Sequence, residues 1–509
     1  MERHSGNRQV IHVRRIAQTL ILTLLATAPQ ALAAQQPVST LIRNASVIDG
    51  RGTPARAVSV RITGDRITGV GDLTATASDR VIDARGLTLA PGFIDTHSHH
   101  DRGLFEDRNA LAMLSQGVTT IVIGQDGGGS GLAALFSRMD AQPVAVNVAS
   151  YAGHGPLRRA AMGDDFRRAA TAEEVEQMAS ALREEMAAGA LGLSTGLEYD
   201  PGIYSTPEEV LALARVAADA GGRYISHIRS EDRYFWNALD ELIAIGRTHD
   251  MPVQVSHLKL GMIDLWGQAD SVIRVLDRAR ASGVDVTADV YPYTYWQSNL
   301  GVFYPERNFA DSVETAFVLE HLSPADGIIV NRFAAQPEYV GKTIARIAEE
   351  RGESAVNTML HILARPDGPD VGIVARGMDE NDVARLMQWE WTNVCSDGTS
   401  TGLHPRGFGS FPRVLGPWVR DDRLFPLEEA VRKVSSLAAQ NVGIPQRGVI
   451  ETGYFADLVL FDPALIADRA TFDDPQAVAT GVSAVWVNGQ VVYENGAATG
   501  ASSGRAIRR

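Results

Sequence analysis

Pro91-Gly92-Phe93-Ile94-Asp95-Thr96-His97-Ser98-His99-His100-Asp101, the stretch PGFIDTHSHHD of residues 91–101, opens as a short apolar strand and ends in a cluster of histidines. Residues two apart on a strand point the same way, so His97 and His99 can face one ion. Working outward, seven further short apolar segments follow it: TTIVIG (119–124), VAVNVAS (144–150), GLSTG (192–196), RYISHI (223–228), PVQVSH (252–257), VDVTADVY (284–291) and TNVCSDG (392–398). Between them lie stretches such as EEVEQMASALREEMAAG (173–189) and PEEVLALARVAADAG (207–221), whose apolar residues recur at helical spacing. Strands alternating with helices imply a parallel sheet, and eight such units closing on one another predict an α/β fold, a (β/α)8 TIM barrel over residues 91–440. An open doubly wound sheet is the alternative use of the same units. The interval from Tyr295 to about Asn393 is too long for one crossover and is expected to hold an inserted helical lid at about residues 295–350.

The two ends of the chain have a different texture. ASVIDG (45–50), AVSVRITGDRITGVG (57–71) and RVIDARGLTLAPG (80–92) alternate apolar residues with Gly and Asp turns. The same pattern returns in YFADLVLFDP (454–463) and VSAVWVNGQVVYENG (482–496), where Asn488-Gly489 between two apolar runs signals a hairpin. Residues 34–90 and 441–509 are therefore expected to form one small β-sandwich domain. No internal repeat or low-complexity tract interrupts the pattern.

With 509 residues, 45% of them apolar, the chain can bury a large core, and disorder is not expected. A formal charge of -14 argues against a surface that tracks nucleic-acid phosphates. Arg14 and Arg15 precede an apolar run from Ile16 to Ala28, followed by Pro29 and the small-residue sequence Ala31-Leu32-Ala33. That is the pattern of a secretory signal peptide over residues 1–33, and its apolar run is shorter than the roughly 20 residues a membrane span needs. The expectation is a periplasmic or secreted protein without stable membrane insertion after cleavage. Cys395 is the single cysteine, which precludes an intramolecular disulfide, and it reads as a packing residue.

Barrel enzymes carry their chemistry at the C-terminal ends of the strands. His97 and His99 end the first strand, His227 the fifth, His257 the sixth and Asp397 the eighth. Nitrogen and carboxylate ligands at one barrel end are what zinc takes, so these five residues form a candidate metal site. His100 and Asp101 read as turn or supporting residues. His154, in Gly153-His154-Gly155 after the third strand, is expected near the mouth, within reach of substrate. His249, His321, His361 and His404 read as structural.

Several ordered stretches resemble one family. PGFIDTHSHHD, GVTTIVIGQDGG (117–128), GALGLSTGLEYDPG (189–202), ISHIRSE (225–231), VQVSHLK (253–259), ADVYPY (288–293), SDG (396–398) with HPRGFGSFPRVLG (404–416), and RGVIETGYFADLVLFDP (447–463) are similar to the N-acyl-D-amino-acid deacylase, or D-aminoacylase, branch of the amidohydrolase superfamily. The resemblance spans the chain beyond the signal segment almost end to end. It implies that His97, His99, His227 and His257 bind zinc, one or two ions per subunit, and that Asp397 contacts the metal and acts as general acid/base. It further implies a small-molecule substrate with a free carboxylate, anchored by Lys259, Tyr291 and Arg406, with Tyr293 and Arg229 supporting the site. One departure stands out: where these deacylases have a metal-ligating cysteine after the second strand, this chain has Gln125-Asp126-Gly127. Asp126 could ligate or bridge two ions, or be a turn residue among glycines, and Glu198 is the second candidate for a bridging carboxylate. The implied reaction is hydrolysis of an N-acyl-D-amino acid or an aminoacyl-D-amino acid dipeptide, releasing the D-amino acid. The alternative is the same chemistry on another amide, such as a cyclic imide, a hydantoin-like ring or an L-peptide.

Overall fold

The computed structural model describes residues 39–509, and the signal segment expected at residues 1–33 lies outside them. Apolar runs form all eight expected barrel strands: β1 Phe93–Asp95, β2 Val118–Ile123, β3 Asn147–Ser150, β4 Gly192–Gly196, β5 Arg223–His227, β6 Val253–Val255, β7 Val286–Val290 and β8 Thr392–Val394. Neighbours pair in parallel, with β3 reaching β4 through its continuation at Ala152–Gly153. The ring closes where the chain leaving β8 meets the chain leaving β1. Ser98 bridges Gly398 in parallel register, the Asp397 N–H donates to the His97 carbonyl at 2.8 Å, and the His99 N–H donates to the Gly398 carbonyl at 3.0 Å. Closure removes the free edges that an open doubly wound sheet would keep, so that alternative is excluded. Every residue of the eight strands is buried apart from Arg223, as parallel strands covered on both sides require.

Start signals visible in the sequence set the outer helices. Helix α1, Ala172–Ala188, begins with a reciprocal capping box between Thr171 and Glu174. Helix α2, Pro207–Asp219, begins on the Thr206 cap with proline at its first turn. Both turn their apolar residues, among them Met178, Leu182, Val210 and Leu213, into the core shared with the barrel.

The two chain ends meet in one nine-stranded sheet, joined where Thr88–Pro91 pairs antiparallel with Leu458–Phe461. That second strand is LVLF because it serves two cores. Leu458 and Leu460 pack with Ile42, Leu89 and Trp486, while Val459 and Phe461 join Phe93 in the barrel core. The sheet curls back on itself, with the Ile67 N–H donating to the Tyr454 carbonyl and the Ala456 N–H to that of Asp65, both at 2.9 Å. Asn488 and Gly489, at φ 48° and 79°, make the expected hairpin turn between Val482–Val487 and Gln490–Glu494.

The insertion differs from a helical lid and runs past residue 350. Tyr295–Asn299, Gly372–Arg376 and Ile328–Arg332 form an antiparallel three-stranded sheet in that order. Helices Ser312–Phe317, Ile344–Arg351 and Ala355–Leu363 accompany it, and Phe303, Tyr304, Ile347, Met359 and Ile373 belong to its separate core. The physical reason is alternation: Ile328 and Val330 are buried while Ile329 and Asn331 are less so, a two-residue period that a helix would not produce.

Candidate active site

The C-terminal ends of the strands bring the histidines and carboxylates together as expected. His97 Nε2 lies 3.4 Å from Asp126 Oδ1 and 3.6 Å from Asp397 Oδ1, and His99 Nε2 lies 3.2 Å from both Asp126 Oδ2 and Asp397 Oδ1. From across the mouth, His257 Nε2 is 3.3 Å from Asp126 Oδ1 and 3.1 Å from His227 Nδ1. Two sets of donors result, His97-His99-Asp126-Asp397 and Asp126-His227-His257, each with ligand atoms within 4.8 Å of one another. Asp126 belongs to both. Glu198 sits on the far side of His227, 2.8 Å from its Nε2, in a third set with Glu231. Of the two bridging candidates, Asp126 therefore occupies the shared position.

Backbone geometry shows how firmly these groups are held. Asp126, His257 and Asp397 have φ values of 52°, 34° and 48°, in the left-handed region that residues with side chains seldom occupy. The loop around Asp126 is pressed against β4: a Cβ on Gly196 would lie 2.3 Å from the Asp126 carbonyl oxygen. Only glycine allows that approach. Asp289, in β7, accepts the His257 N–H at 2.6 Å, and Asp95, in β1, accepts both the N–H and the hydroxyl of Ser396.

These donors fit a bound cation. His97 is fully buried, yet among the described residues neither ring nitrogen has a hydrogen-bond partner, and an orphaned buried imidazole aimed between two carboxylates is what an ion would satisfy. The electrostatics agree. Burial opposes ionisation of Asp126, but the neighbouring His97 and His257 hold its carboxyl well below the usual range. Burial likewise opposes protonation of His99, and the hydrogen bonds its ring donates to Asp126 and Asp397 outweigh it, pushing the imidazole up to about 10. Clustered carboxylates here demand positive charge, and nitrogen with carboxylate oxygen is a zinc donor set.

Beside the donors, the Tyr291 ring is approached by two cations, with Arg406 Cζ 4.7 Å and Lys259 Nζ 5.9 Å from its centre. Arg406 Nη1 lies 2.6 Å from Asp397 Oδ2 and begins helix Arg406–Arg413. His404, read as structural, accepts the Arg406 N–H at 3.1 Å and so fixes that turn. Among the described residues the buried Tyr291 hydroxyl has no hydrogen-bond partner, and it stands beside the Arg406 guanidinium paired with Asp397, so this corner holds a donor for a ligand. Tyr293 lies under Arg413 and His404, and Arg229 is paired with Glu241, consistent with supporting roles.

His154 is not part of this assembly. It is fully buried at the start of its helix, 2.8 Å from Glu209 Oε1, and the same carboxylate pairs with buried Arg158. A short glycine turn aims it into the packing between helices rather than across the mouth. Conversely, Glu231 and Tyr199 escaped the sequence reading. Glu231 accepts from Lys259 Nζ at 2.6 and 2.8 Å and lies 3.0 Å from His257 Nδ1, joining a candidate ligand to a candidate anchor. The signal was an acid four residues beyond His227 in ISHIRSE. The Tyr199 ring packs against that of His227, 4.4 Å between centres and tilted by 42°.

The profile described as Amidohydrolase family matches residues 80–317 and 334–493. Over 500 residues the chain is 37% identical to D-aminoacylase of Alcaligenes xylosoxydans xylosoxydans, covering 93% of this chain and 98% of that one. It is also 37% identical to N-acyl-D-glutamate deacylase of the same organism, covering 93% and 97%. A crystal structure of D-aminoacylase superposes with a TM-score of 0.84 at 36% identity, covering 93% of this chain and 100% of that one. N-acyl-D-glutamate deacylase from Bordetella bronchiseptica, solved with zinc and a phosphonate mimic of the reaction tetrahedral intermediate, gives 0.83 at 35% identity, with coverage of 93% and 100%. Barrel, donor set and sequence agree: the chain belongs to the amidohydrolase family, in its D-aminoacylase branch.

Proposed function

We propose that this chain is a zinc-dependent hydrolase of N-acyl-D-amino acids, or of aminoacyl-D-amino acid dipeptides, releasing a free D-amino acid. The observation that carries the reading is the buried Tyr291 hydroxyl, without a hydrogen-bond partner among the described residues, beside Arg406, ion-paired with Asp397, and next to the histidine and aspartate cluster. Together hydroxyl and guanidinium suit a free carboxylate one residue away from the scissile amide. A cyclic imide or hydantoin-like ring has no such group, which favours the acyl-amino-acid substrate over that alternative.

His97, His99, Asp126 and Asp397 would hold one ion, and Asp126 with His227 and His257 a second. When bound, zinc supplies Lewis acidity, polarising the amide carbonyl and acidifying water. The remaining work falls to the chain. Burial raises the proton affinity of Asp397, but Arg406, then His257 and His99, hold its carboxyl well below the usual range, so it begins as a base. It accepts the proton of the hydrolytic water and returns it to the departing amine. Tyr291, Arg406 and Lys259 hold the substrate carboxylate and fix which face of the amide meets Asp397.

The pattern of Arg14, Arg15 and the following apolar run supports export to the periplasm or beyond. Among the described residues, no helix is long and apolar enough to cross a membrane.

A screen of N-acyl-D- against N-acyl-L-amino acids, together with L,D-dipeptides, on the zinc-loaded enzyme tests the reading. Turnover of the D substrates with a free carboxylate is expected. Equal use of the L series, or indifference to amidation of the carboxylate, would overturn it.

A further inference from the structure

The cleft has two parts. An inner compartment lies against Lys259, Glu231, Trp296 and Phe303, and an outer basin of about 940 Å³ opens from His99 and Asp126. Tyr199, Gln297, Ser298 and Asp397 line both. Lys259 belongs to the inner part and Arg406 to the outer one beside Asp397, so a substrate whose amino-acid carboxylate is drawn past Arg406 toward Lys259 sends its acyl group outward into the basin. An acetyl group would fill a small fraction of that space.

The rim of the basin carries Arg102, Arg138 and Arg332. They come from three separate parts of the fold: the loop after β1, helix Leu132–Ala141 after β2, and the inserted strand Ile328–Arg332. Exposed arginines elsewhere on this protein are of both kinds, Arg51 and Arg508 paired with Glu451 and Asp140, Arg56 and Arg108 without an ion-pair partner among the described residues, so what sets these three apart is that they converge on one basin. Among the described residues, these three have no carboxylate within ion-pair distance. Arg138 lies over the Phe105 ring at 3.9 Å, and Arg332 donates one 3.3 Å bond to the Asp370 carbonyl. Three carboxylates line the same basin. Asp126 is engaged by histidines and Asp397 by Arg406, which leaves Asp101 as the rim's free acid. In a chain of formal charge -14, an acid-poor rim with three open guanidiniums at the mouth of the site is a local reversal of sign.

We infer that the basin binds acyl groups that themselves carry a carboxylate, such as a dicarboxylic monoacyl group or an acidic aminoacyl group, with Arg102, Arg138 and Arg332 as specificity-determining residues. This rests on the proposed hydrolysis of N-acyl-D-amino acids and adds the class of the acyl half. Water adds across the amide C–N bond, the carbonyl carbon taking its oxygen and the nitrogen its hydrogen, so the products are a dicarboxylic acid and the free D-amino acid. Guanidinium recognises carboxylate through paired N–H donors, and several at a rim also draw an anion inward.

The test compares kcat/KM for succinyl-, glutaryl- and adipyl-D-leucine with butanoyl-, pentanoyl- and hexanoyl-D-leucine, pairs of equal chain length. The charged partner of at least one pair is expected to be better by about tenfold, since an exposed ion pair contributes a factor of roughly two and three act together. The preference should shrink in raised salt and disappear in the Arg102→Gln/Arg138→Gln/Arg332→Gln variant. Equal kcat/KM within every pair, while the uncharged members are hydrolysed, overturns the inference and leaves the proposed function standing. Calorimetric titration of glutarate against pentanoate reads the same ratio without turnover. A glutarate preference present in the parent and lost in the variant supports the basin even if D-leucine substrates are refused, and a preference that survives in the variant overturns it.

Discussion

Tyr291→Phe separates a binding hydroxyl from a core hydroxyl by moving stability and activity in opposite directions. Tyr291 is 2% exposed and its hydroxyl has no hydrogen-bond partner among the described residues. Burial pushes its phenol well above the ordinary value, so it remains a proton donor throughout the working pH range. A buried polar group left unpaired costs about 1–3 kcal/mol, and deleting it returns some of that to the folded state. The same hydroxyl donating to a substrate carboxylate contributes about 1.5–3 kcal/mol, or roughly 10- to 150-fold in kcat/KM. Urea unfolding of the zinc-loaded enzyme should therefore show a midpoint that holds or rises by the equivalent of about 1 kcal/mol, with unchanged slope. The kcat/KM for N-acetyl-D-leucine should fall by at least about tenfold, and that for its carboxamide far less. A variant that loses more than about 1 kcal/mol of stability with unaltered kcat/KM would refute the assignment and make Tyr291 a packing residue.

Asp397→Asn should retain zinc by elemental analysis yet lose at least about a hundredfold in kcat, the scale of a missing general acid/base. Unchanged turnover would remove Asp397 from the chemistry. Asp126→Ala should lower the zinc content from two equivalents to one or none; an unaltered content shows that Asp126 is a turn residue only. Acid should dissolve the α1 capping box. Hydrogen bonds from Arg168 and from the Thr171 N–H lower the Glu174 carboxyl to about 2, so the folded state binds this proton less tightly than the unfolded chain. The stabilisation is thus present above the ordinary value near 4.5 and lost as pH falls toward 2. The Tm difference between the parent and Glu174→Gln should be largest at neutral pH and close by pH 2.

Most of the barrel was legible because each strand is a short apolar run, several of them ended by glycine, histidine or aspartate, and helices such as Ala172–Ala188 and Pro207–Asp219 announce themselves with a cap. The ligand set was legible because strand ends can be counted: His97, His99, His227, His257 and Asp397 each follow a strand that exists. What escaped depends on direction rather than position. His154 follows a strand as the others do, but its ring meets Glu209 in the packing below the mouth. Glu231 lies on a loop, where no periodicity shows that its carboxylate folds back on Lys259 and His257. The alternating segment Ile328–Arg332 and the apolar run Gly372–Arg376 were readable in principle as strands, but their partners are set by antiparallel register across intervening helices, which local pattern does not encode.

The seam that closes the barrel also has a consequence for biosynthesis. Ser396 binds Asp95 across 301 residues of sequence, and His97 receives its backbone bond from Asp397 over a similar interval. A nascent chain emerging from the ribosome exposes His97 and His99 long before Asp397, the aspartate that completes their set. Until residue 398 has been made, the leading strand has an unpaired flank, available to any other strand in the cell. Loop closure over such a length adds little to the free-energy cost but delays the event to the last fifth of synthesis. Under the export proposed above, that delay would keep the polypeptide threadable until its metal site forms on the far side.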